Sequence, residues 1–183
     1  MFGIAGALCR ISSNPVLKSI AFFYVWIIRG TPVMVQLFIL YFGLPQLGIK
    51  LSSMTAGVLG LAINTGAYVT EIIRAGIQAI DKGQMEAALS VGMNYRQAMV
   101  RIIGPQATKI CIPPLVNQFI MTLKNSSIAS LVTITELLRT GEQLIYTMFR
   151  SFEVYTAIAV LYLIMNSFFM IIADNLEKRM ARQ

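Results

Sequence analysis

Two stripes of polar side chains stand out in a chain of 183 residues that is 56% hydrophobic and only 13% charged. Asn64, Tyr68 and Glu71 follow one another at spacings of four and three, and Asn117, Met121 and Lys124 repeat that spacing, with Gln118 and Asn125 on an adjacent line. Such intervals put each set on one face of a helix. The groups donate and accept hydrogen bonds and carry charges of both signs, yet they build no reaction centre. The chain has no His, two Cys and no carboxylate pair placed for acid–base work. It also lacks the glycine-rich loop with a following Lys-Ser/Thr that cradles nucleotide phosphates, so ATP hydrolysis, a cofactor and a metal are not expected of it. Recognition is the chemistry that remains. Lys124, Asn125, Ser126 and Ser127 can donate to an anionic group, and Glu71 or the carbonyls of a broken helix can accept from a cationic one. A second reading stays open, in which the stripes tie helices together through Gly57 and Gly60 contacts and hydrogen bonds of about 1 kcal/mol or less. Glu71 and Arg74, three apart, can also pair with each other.

The elements that must hold these stripes read as membrane helices. Mean hydropathy is +0.69, and charged residues are far below the quarter typical of soluble domains. An all-α integral membrane bundle follows, as a single domain over 1–183. The clearest span is 154–173, uncharged throughout and followed by the basic tail "DNLEKRMARQ". Another covers about 54–79 and carries the first stripe. A third, 20–43, is interrupted by "RGTP", where Gly30 and Pro32 break or kink a helix. The fourth, 105–127, holds three prolines and two lysines, so it cannot face lipid all round. Met1 to Cys9 is too short to cross, and with Arg10 after it rather than before, it reads as the tail of a helix, not a signal peptide. Cys9 and Cys111 sit in apolar contexts and read as packing residues.

Basic residues orient the bundle. With the loop 79–104 and the C-terminus on the cytoplasmic side, the inside flanks hold eight of them: Arg10, Lys18, Lys82, Arg96, Arg101, Lys178, Arg179 and Arg182. Lys50, Arg139 and Arg150 fall outside, and Arg29, Arg74, Lys109 and Lys124 lie in or near the membrane. The net charge of +7 is thus read as a positive cytoplasmic surface and not as a nucleic-acid footprint.

Inside that loop, "GQMEAALSVG" from Gly83 to Gly92 predicts a separate short helix with Asp81 at its start. About ten residues give roughly 15 Å, too short to span a bilayer. Met85, Ala88 and Leu89 share a face, with Glu86 and Ser90 elsewhere. The helix either lies on the membrane surface or enters the groove of a cytoplasmic partner, Ala87 and Ala88 keeping it slim.

The chain also resembles a known family. "EIIRAGIQAIDKGQMEAALSVGM" followed by "PQATKICIPPLVNQFIMTLKNSS" is similar to the cytoplasmic-loop signature of permease subunits of ATP-binding-cassette importers. "RGTP", "NTGAY", "KGQ", "PQA" and "ITEL" resemble the polar amino acid uptake branch, from about residue 10 to the C-terminus. The resemblance implies a type I importer transmembrane fold, with four full spanning helices plus the end of a fifth in this chain. It also implies a coupling helix in the 79–104 loop, carried by Gly83, Gln84, Glu86, Ala87, Ala88 and Gly92. The implied partners are two ATPase subunits, a second permease chain alike or related, an extracytoplasmic solute-binding protein and a polar amino acid. The substrate path would then draw on Asn64, Tyr68, Glu71, Asn117, Lys124, Asn125, Ser126 and Ser127.

The chain departs from the family pattern in places. Five spans and a periplasmic N-terminus are usual, so the short start reads as a fragment, a misassigned start or a shortened variant. Asn125 stands where an acidic residue often follows the lysine, and Asp81 where proline is common. An ion-coupled transporter or channel without an ATPase is the alternative, opposed by the lack of inverted repeats. A non-transporting scaffold is a third reading.

Overall fold

The computed structural model describes residues 1–180. Helix α1 (Phe2–Ile11) leads through a short turn into α2 (Pro15–Gly30), which starts because Asn14 accepts the backbone N–H of Val16 at 2.9 Å while Pro15 occupies the first helical position. At Thr31 and Pro32 the chain is extended, and the following helical segment, α3 (Val33–Phe38) continued by a π turn and a 3₁₀ turn to Leu47, runs at 105° to α2. The break expected in the 20–43 span is therefore a right-angle turn. Pro32 has no N–H to continue the ladder and pushes Thr31 out of the helical region, which stops α2 and restarts the chain in a new direction.

The long helix α4 (Ser53–Gln78) is the centre of the bundle, and α1, α2 and α7 pack on it. Its buried positions are almost all small, including Ala56, Gly57, Gly60, Gly66, Ala67 and Gly76. A β-carbon on Gly66 would come within 2.7 Å of Phe2 Cβ on α1 and 2.8 Å of the Tyr24 hydroxyl on α2. Close backbone approach is what lets helices associate in lipid, where no hydrophobic force drives them together. Hydrogen bonds add to it. The Thr70 hydroxyl donates to the Gly3 carbonyl at 3.2 Å, and the Tyr24 hydroxyl to the Ile63 carbonyl at 2.7 Å. Cys111 is buried against Gly76 and Cys9 is half-buried; both are free thiols.

After α4 come α5 (Lys82–Ser90) and α6 (Tyr95–Ala98), the latter closed by a reciprocal cap between Asn94 and Gln97. A π turn over Met99–Ile103 then joins α6 to α7 (Gly104–Asn125) just before Pro105. Helix α7 runs unbroken through Pro113 and Pro114 and packs between α4 and α9. A 3₁₀ segment, Ser126–Val132, leads to α8 (Leu137–Met148) and α9 (Ser151–Met180). Among the described residues, Ser53–Gln78 and Ser151–Leu176 are each long and apolar enough to cross a membrane, and the bent pair α2 and α3 makes a third only if counted as one span. The count of four full spans is thus met in part. Polar residues along α7, Lys109, Asn117, Gln118 and Lys124 among them, dilute its apolar content below that of a lone span.

Candidate functional site

Two sites emerge, one at the break between α2 and α3 and one at α5. The first is a cavity of about 320 Å³ lined by Arg29 to Val33, Asn64, Tyr68, Gln118, Met121 and Asn125. It exists because the turn at Pro32 swings α3 away from α2 and leaves a gap against α4 and α7. Gln36 makes the break tolerable. Its amide nitrogen donates to the Ile28 carbonyl at 2.8 Å and the Thr31 carbonyl at 3.1 Å, groups that α2 can no longer satisfy. Its amide oxygen accepts from Asn64 Nδ2 at 3.1 Å, which fixes the buried Asn64 toward the gap. The Arg29 guanidinium lies 5.2 Å from the centre of the Tyr68 ring, a cation–π distance. Among the described residues, no carboxylate lines this cavity. Two helices end on it, α2 at Gly30 and α7 at Asn125, so each presents the negative end of its dipole there.

Of the eight residues expected along a substrate path, Asn64, Tyr68 and Asn125 line this cavity. The others lie elsewhere. Glu71 accepts from Arg74 at 2.7 Å and from Arg10 at 3.2 Å, so its carboxylate clasps α1 to α4. Ser126 and Ser127 donate to the carbonyls of Leu123 and Lys124 at 2.7 and 2.8 Å. The last carbonyls of α7 lack helical partners and take these hydroxyls. Asn117 and Lys124 are exposed on another face of α7, and Lys124 makes no ion pair among the described residues. Spacing alone did not mark Gln36, a lone amide in an apolar run just after a break.

The second site is α5. Asp81 caps it, accepting from Gly83 N at 2.7 Å. Past its C-terminus Gly92 has φ +86°, in the left-handed region, with open space around it, so backbone conformation is what calls for glycine there. The face differs from the expected one. Ala88 is buried and Met85 half-buried against the chain itself, where α5 packs on the π turn Met99–Ile103, while Leu89 points outward with Gln84, Glu86 and Ala87. The slim Ala88 is what admits that close contact. A weak bond of 3.3 Å from Gln106 to Gln84 links α5 to the start of α7.

A bundle of this kind, with a small-residue central helix, a polar cavity at a broken helix and a short outlying helix between two membrane helices, is a membrane permease. The chain belongs to the family of binding-protein-dependent transport system inner membrane components, whose pattern matches residues 1–182. Among its relatives, the probable glutamine ABC transporter permease GlnM of Bacillus subtilis (strain 168) is 42% identical over 182 residues, covering 100% of this chain and 84% of that protein. The glutamine transport system permease GlnP of Escherichia coli (strain K12) is 34% identical, covering 98% of this chain and 83% of that one. A crystal structure of an amino acid ABC transporter with histidines superposes with a TM-score of 0.92 at 45% identity, over 97% of this chain and 83% of that one. The chain is the permease subunit of an ATP-binding-cassette importer with the type I transmembrane fold, an inner membrane component and a transport subunit. The ion-coupled reading is not favoured.

Proposed function

We propose that the chain carries a polar amino acid across the membrane through the cavity at the α2–α3 break, driven by ATPase subunits that dock on α5. The relatives are named for glutamine and amino acid transport, which supports this substrate class. The cavity's chemistry fits a zwitterion. Arg29 and the amides of Asn64 and Gln118 donate to a carboxylate, and the carbonyl ends of α2 and α7 favour an ammonium group. Orientation follows the basic residues, with α5 and the C-terminus cytoplasmic and 79–104 forming the coupling loop. Arg182, counted in that argument, lies outside the described residues.

The observation that carries the coupling role is the position of α5. It is capped at its start, follows α4 in the chain, packs on α6 and the π turn that leads into α7, and leaves Gln84, Glu86, Ala87 and Leu89 exposed. A push on that face reaches both membrane helices. Two ATPase subunits, a second permease chain and an extracytoplasmic binding protein complete the assembly. Asn117 and Lys124, exposed on a face of α7 away from the cavity, support a second chain, since polar and charged groups are costly against lipid. ATP-driven closure of the ATPase pair would then exchange inward-open and outward-open states. Ala87→Trp places bulk on the exposed face of α5 while leaving Ala88 packed. Co-purification with the ATPase should fall at least about fivefold, the equivalent of ~1 kcal/mol at a docking surface. Undiminished co-purification of the variant removes α5 as the docking helix.

A further inference from the structure

A second cavity lies away from the α2–α3 break, at the α5 end of the bundle. Its volume is about 720 Å³, and four cationic side chains line it: Arg10 from α1, Lys18 from α2, Arg74 from α4 and Lys82 from α5. Two carboxylates answer them. Glu71 is held between Arg10 and Arg74, and Asp81 accepts the backbone N–H of Gly83. Arg10 also lies 5.2 Å from the centre of the Phe22 ring. Lys18 and Lys82, both exposed, form no ion pair among the described residues, so four cations face two carboxylates and the cavity keeps a net positive charge.

Gln78 and Tyr95 add two uncharged polar groups, and the rest of the wall is apolar, built from Ile11, Ile77, Ile80, Met85, Met99 and Ile103. The adjoining outer faces of α1 and α2 expose Leu8, Val16, Leu17 and Ile20, the kind of surface that meets acyl chains. A soluble anion would use the charges and leave these walls wet. A nucleotide would find no glycine-rich loop for its phosphates. An amphiphile with a phosphodiester head satisfies both halves. Basic pockets between membrane helices on the cytoplasmic side hold anionic headgroups for this reason.

We propose that this cavity binds the headgroup of an anionic phospholipid, with Lys18 and Lys82 contacting the phosphate and the isoleucine wall receiving the glycerol end of the chains. Such a lipid would bridge α1, α2, α4 and α5 at the base of the bundle. The proposal does not depend on the role of α5 in coupling.

The test is native mass spectrometry of the transporter complex, purified with its ATPase subunits and taken from nanodiscs of equal phosphatidylglycerol and phosphatidylcholine. The intact complex should retain phosphatidylglycerol in preference to phosphatidylcholine. The double variant Lys18→Gln/Lys82→Gln should lower that preference by roughly 25-fold, about fivefold for each charge removed. Lys50→Gln, outside the cavity, should leave it unchanged. Should the double variant fail to assemble, the salt dependence of the wild-type preference serves instead, and it should weaken from low to high ionic strength. Equal retention of the two lipids, or a preference untouched by both the variant and salt, overturns the proposal. Displacement of the lipid by millimolar inorganic phosphate assigns the site to a soluble anion and overturns it as well.

Discussion

Arg29 and Tyr68 meet across the cavity at the α2–α3 break, and among the described residues no carboxylate lines the cavity beside that guanidinium, so on the proposed path it would set the charge preference. A carboxylate-bearing solute bound as proposed would gain a charge-assisted hydrogen bond there, worth about 1.5–3 kcal/mol. Arg29→Met should therefore weaken the apparent affinity for a transported amino acid by roughly 10- to 100-fold, read from the concentration dependence of uptake, with little effect on assembly. Asn64 and Tyr68 could be read from the sequence because polar groups at helical spacing in an apolar segment must face the protein interior. Gln36 could not, because its role depends on carbonyls that only the folded break sets free. The hydrogen bonds of Ser126 and Ser127 could not be read from the sequence for a related reason. A hydroxyl in sequence looks available, but one beside a helix end is drawn to the nearest unpaired carbonyl.

Among the elements, α4 is the organising one, and its small residues set how close α1 and α2 come. Gly66→Leu should separate α1 and α2 from α4. The β-carbon alone would fall 2.7 Å from Phe2 Cβ, and overpacking of this kind costs about 1–3 kcal/mol. A lowered thermal midpoint in detergent checks this; an unchanged midpoint shows that the helices give way easily. The long helices and α5 were legible from apolar length and helix punctuation. Helix α8 was not, since a 12-residue amphipathic segment outside the spans carries no length signal. Its start rests on Glu136, which accepts the N–H groups of Leu138 at 2.9 Å and Arg139 at 2.7 Å and also receives the Tyr162 hydroxyl at 3.2 Å. The right angle at Pro32 was legible as a break but not as a direction, which Gln36 and the packing of α3 on α4 decide.

For the molecule as a whole, the polar cavity and α5 are joined through two long helices. Helix α4 carries Asn64 and Tyr68 in its middle and leads into α5 three residues beyond its end, while α7 carries Gln118 and Asn125 and meets α5 through Gln106 and the π turn. On the proposed coupling role, displacing α5 would move two walls of the cavity together, which is what an alternating-access cycle needs. Vesicles holding the permease, its ATPase subunits and the binding protein, loaded with ATP or carrying only a proton gradient, test this link most directly. With the labelled polar amino acid that its binding protein recognises as substrate, the wild-type chain should take it up only with ATP. Glu86→Trp, on the exposed face of α5, should lose at least about tenfold of that uptake, equivalent to ~1.4 kcal/mol of coupling, with the thermal midpoint of the permease unchanged. Uptake on the proton gradient alone, or wild-type rates from Glu86→Trp, would contradict the account.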